Sequence, residues 1–406
     1  MRIAAQLLDN TPSRRRALSE AALVLFSVFL PALSARLGQA PLAAATCLLA
    51  IWGLVLLRPW ADWRSGQYGR AAGLVLLFAL ALGAATASEW FAESLAPSPR
   101  LGVRQQSVSV GGDGQPARKA VELTHVLPGL PADGHLEVGD RILAVDGQPL
   151  SSSDPERDFQ QRIRDAGGGA STDIRFTLER QGESREVTVH VGPVRTAGIY
   201  RAGAVWWLCI RAIGAILLVA LLLWRDGQGA AQLGLVRQGL GFELLLGIPV
   251  SVGAYAAHIA ASIPLALIAA ALKLAGKETL ARKEVATALA DTGLSVPVFA
   301  LAMLLVTGFE EIAFRGFLVP RLRVVTGHWF AAVLLSAALF GLGHFYEGTL
   351  AVFQTAILGA YFGFVFLYRF RLPSVILAHA AFNTINFALM LWLQRSGLLE
   401  KLTGQH

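Results

Sequence analysis

Apolar runs of about twenty residues recur along the chain and constrain it more than any other feature. A helix needs roughly 20 apolar residues, at about 1.5 Å rise each, to cross a bilayer. The runs predict spans at residues 18–37, 41–57, 71–91, 204–224, 240–272, 294–317, 329–345, 350–368 and 373–393. Composition agrees: of 406 residues, 54% are hydrophobic and only 16% charged, which excludes an ordinary soluble enzyme. The expected fold class is an α-helical polytopic membrane protein, about nine transmembrane helices by span length, with one soluble α/β insertion. The net charge of +7 is modest. No basic patch carries interleaved aromatics, so the expected partner is the lipid bilayer and not nucleic acid.

Arginines stand at the ends of the runs and orient them. Arg2 and Arg14 to Arg16 put the N-terminus in the cytoplasm, and Arg58, Arg64 and Arg70 agree for the second loop. The first apolar run is read as an uncleaved helix and not as a signal peptide. Arg321, Arg323, Arg369 and Arg371 mark later cytoplasmic ends, which leaves the C-terminus outside. Trp90-Phe91 suits an interfacial anchor for the third helix. Residues 240–272 contain Pro249 and Pro264 and read as one kinked span, a re-entrant pair being the alternative. Residues 273–291 form a charged linker. Arg211, Glu243 and His258 are read as packing or interfacial groups, and Cys47 and Cys209 as small buried hydrophobes.

Between residues 97 and 193 the composition changes, and about half of the chain's 28 acidic residues lie there. Short alternating runs punctuated by Gly and Asp, such as 121–126 and 174–178, predict strands and turns. Residues 175–180 and 185–191, joined across Gln181-Gly182, predict a hairpin. Residues 155–166 predict an amphipathic helix with Phe159 and Ile163 on one face. The module resembles a bacterial-type PDZ domain. The resemblance rests on Leu101-Gly102-Val103, on Leu127-Pro128-Gly129-Leu130-Pro131-Ala132, and on the Gly139-Asp140 and Asp146-Gly147 turns flanking an apolar strand. It implies a groove that takes an extended peptide as an added strand. Leu101, Gly102 and Val103 would face the peptide carboxylate, and the Phe159/Ile163 helix would form the other wall. A closed groove used only for packing is the alternative. By the charge count the module lies outside the cytoplasm.

The sixth run carries Gly308-Phe309-Glu310-Glu311-Ile312-Ala313-Phe314-Arg315-Gly316. Each charge at that depth costs roughly 2.5–3.5 kcal/mol even on lenient insertion scales, so such groups face protein or water and are functional by default. On a helix Glu311 and Arg315 are one turn apart and can pair, while Glu310 points about 100° away. Phe340 and His344 share a face of the seventh run, and His379 and Asn383 a face of the ninth. On these bounds His344 falls about 10 Å further out than the glutamates. One reading is polar glue between helices. Another is a zinc site of two Glu and two His, although no His-Glu-x2-His is present. The third is one catalytic site.

The set Glu-Glu-x3-Arg, Phe-x3-His and His-x3-Asn resembles the CAAX-protease and bacteriocin-processing family of intramembrane glutamic endopeptidases, over about residues 233–393. The resemblance implies hydrolysis of peptide bonds by a glutamate-activated water, with no metal and no cofactor. Glu310, Glu311, His344, His379 and Asn383 would be catalytic, with Arg315 and Phe340 supporting. The implied partners are peptide or membrane-protein substrates, and the implied location a bacterial inner membrane with the PDZ-like module extracytoplasmic. The domain order expected is membrane helices at 1–96, the PDZ-like module at 97–195, a linking helix at 196–232, the protease core at 233–395 and a tail at 396–406. The alternative function is a non-catalytic, PDZ-bearing membrane adaptor or immunity-type protein.

Overall fold

A computed structural model of the chain describes residues 10, 12–37, 39–86, 100–110, 118–126, 130–151, 153–192, 203–271, 292–345 and 348–395. Trp90-Phe91, the 273–291 linker and Leu127 to Gly129 lie outside the described residues. The chain divides into two compact units, residues 93–201 and residues 1–92 together with 202–406.

The larger unit is helical. Its helices are α1 (Arg14–Leu37), α2 (Gln39–Leu57), the short α3 (Pro59–Arg64) and α4 (Tyr68–Thr86). In an apolar solvent the backbone must satisfy its own hydrogen bonds, which helices do. Beyond the insertion come α6 (Gly203–Arg225), α7 (Leu240–Ala271), α8 (Val296–Glu311), α9 (Val319–Thr326), α10 (Trp329–Leu342), α11 (Thr349–Arg369) and α12 (Pro373–Arg395). Among the described residues six stretches are long and apolar enough to cross a membrane: Tyr68–Thr86, Val205–Arg225, Leu240–Ile268, Val296–Thr326, Thr349–Arg369 and Pro373–Leu393. Ala44–Leu57 and Trp329–Leu342 are apolar but shorter. Despite Pro249 and Pro264, α7 is one continuous helix.

The sixth span departs from its expected end at residue 317. It runs on to Thr326 because α8 passes through a π-helical turn, Ile312–Leu318, directly into α9. Pro320 lacks the N–H that Gly316 O would accept in an α-helix, so regular bonding is already broken there and a widened turn can precede it. The extension removes the expected depth mismatch. Glu311 and His344 each lie about 22 Å, at 1.5 Å per residue, from the neighbouring helix ends at Thr326 and Trp329. The start of α12 is held against the loop before α7 and against the π-turn. The Leu372 N–H donates to Gly234 O at 3.1 Å, and a Cβ on Gly316 would meet Leu372 Cδ1 at 2.9 Å and Leu233 O at 3.0 Å. Only glycine allows that approach.

Charged groups gather at one end of this unit. Arg225 pairs with Asp62 at 3.0 Å, and Arg16 with Asp226 at 2.5 Å. Arg321, 1% exposed, reaches Glu20 at 3.3 Å and Gln228 at 2.8 Å. Arg369 meets Glu243 at 2.6 Å, and Ser374 donates to the same carboxylate at 3.0 Å. Glu243 is fully buried and ties α7 to the end of α11 and the start of α12. Asp226 follows the α6 span, and burial, with the Glu20 carboxylate beside it, pushes it up to about 7.

The smaller unit is an antiparallel sheet with one helix. Its strands are β1 (Val103–Val110), β2 (Arg118–Val126), β3 (Arg141–Val145), β4 (Gln148–Pro149), β5 (Thr172–Arg180) and β6 (Glu183–Val191), ordered β1-β2-β3-β5-β6 with β4 on β3. The expected hairpin is β5–β6, with Arg180 opposite Glu183. Gln181 (φ 55°) and Gly182 (φ 84°) form its two-residue turn, and positive φ at both centres matches the strand twist. Helix α5 (Pro155–Asp165) is capped by Asp154, which accepts from the Arg157 N–H, and buries Phe159 and Ile163 against the sheet.

Candidate active site

The π-turn, α10, α11 and α12 meet around one guanidinium. Arg315, 1% exposed, donates to Glu311 Oε1 at 3.0 Å and to Gly359 O at 2.9 Å. Its charge lies over the Phe340 ring, 4.5 Å from the centroid, and 5.8 Å from that of Phe362. A desolvated cation is stabilised by such ring faces. The pairing expected for an α-helix survives the wider turn.

Glu311 is fully buried, and its Oε1 also receives His379 Nδ1 at 2.8 Å. That bond puts the His379 proton on Nδ1 and fixes the ring. His379 Nε2 then faces Glu310 Oε2 at 3.7 Å. The two adjacent carboxylates therefore differ in kind: Glu311 is held by a cation and an imidazole, whereas Glu310 keeps 19% of its side chain exposed and has one looser neighbour.

Phe340 joins the remaining pieces. Its ring lies 4.8 Å from the His344 ring and 6.0 Å from the His379 ring. His344 follows the end of α10, with Nδ1 3.0 Å from Phe340 O. Asn383 is one turn beyond His379 on α12 and half-buried. Glu310, Glu311, Arg315, Phe340 and His379 are thus linked by direct side-chain contacts, with His344 joined through Phe340.

Gly359 and Phe362 also build the site, and sequence reasoning overlooked both. Gly359 supplies the carbonyl to Arg315, and a Cβ there would meet Phe340 Cδ1 at 3.1 Å and Arg315 Nη2 at 3.3 Å. The only signal was a small residue inside an apolar helix, which is too common to single out. Further along α12, Asn386 and Tyr255 of α7 lie 3.0 Å apart.

The smaller unit holds its groove residues differently from expectation. Phe159 and Ile163 are 2% and 7% exposed and pack in the core. They fix α5 to the sheet. Leu101 is buried too, and its carbonyl accepts from Ala132 N–H at 2.9 Å. Gly102 has φ 81°, and a Cβ would meet Leu130 Cβ at 2.4 Å, so glycine is required twice over. Val103 opens β1, which stands at the end of the sheet order. Arg100, unnoticed in the sequence, donates to the carbonyls of Ile163, Arg164, Ala166, Ala170 and Gly192. It satisfies the open carbonyl end of α5.

Ser171, His190 and Asp173 also form a chain, with Ser171 Oγ 2.9 Å from His190 Nε2 and Nδ1 2.6 Å from Asp173 Oδ1. The His and Asp side chains are 70% and 68% exposed. Asp173 and His190 are opposed residues of β5 and β6, so strand pairing accounts for their approach. Water reaches the whole chain, which makes it a surface pair and not a nucleophile site.

Comparison with known families agrees with this division. Residues 292–385 match the family model for Type II CAAX prenyl endopeptidase Rce1-like, and residues 98–178 match that for the PDZ domain. The first match spans Glu310, Glu311, Arg315, Phe340, His344, His379 and Asn383. It supports a CAAX-type intramembrane protease, a hydrolase of peptide bonds, and the second supports a protein-interaction domain. With its apolar helices the chain is an integral, multi-pass membrane protein. No curated protein and no solved structure matches it.

Proposed function

We propose that the chain is an intramembrane endopeptidase in which Glu310 activates the attacking water. The carrying observation is the asymmetry of the glutamates: both Arg315 and His379 are spent on Glu311, and Glu310 is left half-open beside His379 Nε2. Glu310 takes a proton from water as oxygen attacks the scissile carbonyl, and later gives it to the departing amine. His344 helps hold that water. The Asn383 amide donates to the oxyanion, and so does His379 Nε2 when it is protonated, with Nδ1 held by Glu311. Water is consumed, and a carboxylic acid and an amine result, with no covalent enzyme intermediate. Arg315 holds Glu311, and Phe340 holds Arg315.

The PDZ-like domain selects or gates substrate on the extracytoplasmic side of a bacterial inner membrane. The support is its edge strand β1, beside the tight Leu101-Gly102-Val103 loop, which suits an added peptide strand.

The deciding test is Glu310→Gln in liposomes. Two fluorescein-labelled peptides serve as probes: a farnesylated octapeptide ending in Cys-a-a-X, and an apolar Leu/Ala peptide with a central Gly-Gly. Cleavage by the wild type and none by a folded variant supports the mechanism. Equal cleavage by both refutes it, and binding without cleavage by either moves the reading to an adaptor. Deleting residues 101–191 is expected to change substrate choice or rate. Unchanged processing of the same peptides overturns the selecting role.

A further inference from the structure

A polar band leaves the candidate site along α12. His379, Asn383 and Asn386 stand at i, i+4 and i+7 and so share a face. Tyr255 of α7 meets the far end of this row: its hydroxyl lies 3.0 Å from Asn386 Oδ1 and 3.1 Å from Phe382 O. The band continues on α7 and α11. Ser262 donates to His258 O at 2.7 Å, Gln354 Nε2 lies 3.4 Å from His258 Nε2 and bonds Ser262, and the His258 ring stands 5.3 Å from Phe382. Tyr255, His258, Ser262, Gln354 and Asn386 thus occupy apolar helices in which every such group is costly. Packing alone does not explain Asn386, which is exposed.

The chemistry of Asn386 is directional. Tyr255 shares its one hydroxyl proton between Oδ1 and Phe382 O, and with Oδ1 on that side the two amide hydrogens point away from the hydroxyl. The exposed Asn386 amide therefore presents oriented N–H donors one turn past Asn383. From His379 to Asn386 the row rises about 10 Å, which matches about three residues of extended chain. A peptide must be extended for its scissile bond to be reached, and in an apolar setting each freed backbone carbonyl then needs a donor.

We propose that Asn386 is a substrate-binding residue, with Tyr255 as its positioning residue. The pair takes a backbone carbonyl of an extended peptide about three residues from the scissile bond, on the side away from the α11–α12 turn. The proposal rests on the protease reading for the place of the scissile bond, although the binding it describes is measured without cleavage.

The test uses the full chain in nanodiscs and the same two labelled peptides. In the Glu310→Gln background, Asn386→Ala is expected to weaken peptide binding about tenfold, as loss of one hydrogen bond allows. Asn386→Gln restores part of it, and Tyr255→Phe costs about threefold by freeing the amide to rotate. In the cleaving enzyme Asn386→Ala raises KM with kcat within about twofold, the mark of a contact present before and during reaction. Unchanged affinity in Asn386→Ala, or loss confined to kcat, overturns the proposal while leaving the protease reading intact. Affinity that depends on Asn386 in a wild type that cuts neither peptide keeps the peptide-binding role of Asn386 and moves the protease reading to an adaptor. Binding of neither peptide refutes both.

Discussion

Replacing Arg315 by Met keeps a long, flexible side chain and removes the charge around which the site is packed. Three losses result. Glu311, fully buried, keeps only His379 on Oε1. Gly359 O loses its second donor and keeps its helix bond, and the Phe340 and Phe362 rings lose a cation at 4.5 and 5.8 Å. Breaking a buried pair by removing one partner costs about 3–5 kcal/mol, most of it the uncompensated charge left behind. About 4 kcal/mol is a fair total. At roughly 2 °C per kcal/mol for a unit of this size, the melting temperature in detergent falls by about 8 °C. The informative experiment is the cycle with Glu311→Gln. If the loss is the stranded carboxylate, the double variant recovers about 2–3 kcal/mol relative to the sum of the single changes. A single-variant shift below about 2 °C, or strictly additive losses, would refute the reasoning.

Other parts of the molecule carry expectations of their own. Gly359→Ala forces Phe340 and the guanidinium to yield by a few tenths of an ångström; an overpacking cost of about 1–3 kcal/mol and slower peptide cleavage are expected, read by thermal melting and initial rates. Asp226, pushed up to about 7 from an ordinary 3.8, binds its proton more readily in the folded protein than in the unfolded one. Stability therefore falls as pH rises from about 4 to about 7, and Asp226→Asn flattens that slope in a melting series across pH. Arg100→Ala uncovers the carbonyl end of α5; the PDZ-like domain is expected to become more protease-sensitive, measured by limited proteolysis, while peptide cleavage at Glu310 persists.

Polarity against an apolar background made the helical site legible. Glu310, Glu311, Arg315 and His379 stood out because polar groups broke a hydrophobic run, Phe340 only through its spacing from His344, and the structure brings them together. Gly359 and Phe362 were invisible because they look like any other residue of a packed membrane helix. Helix ends were harder to place. The end expected at 317 falls inside a π-turn, because apolarity stops where Arg321 begins although the helix does not. Arg321 escapes the rule by burying its charge against Glu20 and Gln228. In the sheet unit, turn chemistry located the hairpin at Gln181-Gly182. Phe159 and Ile163 were assigned to the right face of the right helix, but a face pattern does not say whether a ligand or a core lies opposite.

The π-turn between α8 and α9 also sets a phase. One helix has to aim Arg315 at Phe340 and Gly359, and Arg321 at Glu20 on α1. A widened turn absorbs roughly one residue beyond regular α-helical winding, which is about 100° of rotation between the helical segments on its two sides. The turn thus acts as a fixed gear between the buried carboxylates and the charged end of the bundle. Deleting a single residue within Ile312–Leu318 would leave both halves helical and of sound composition, yet facing the wrong neighbours.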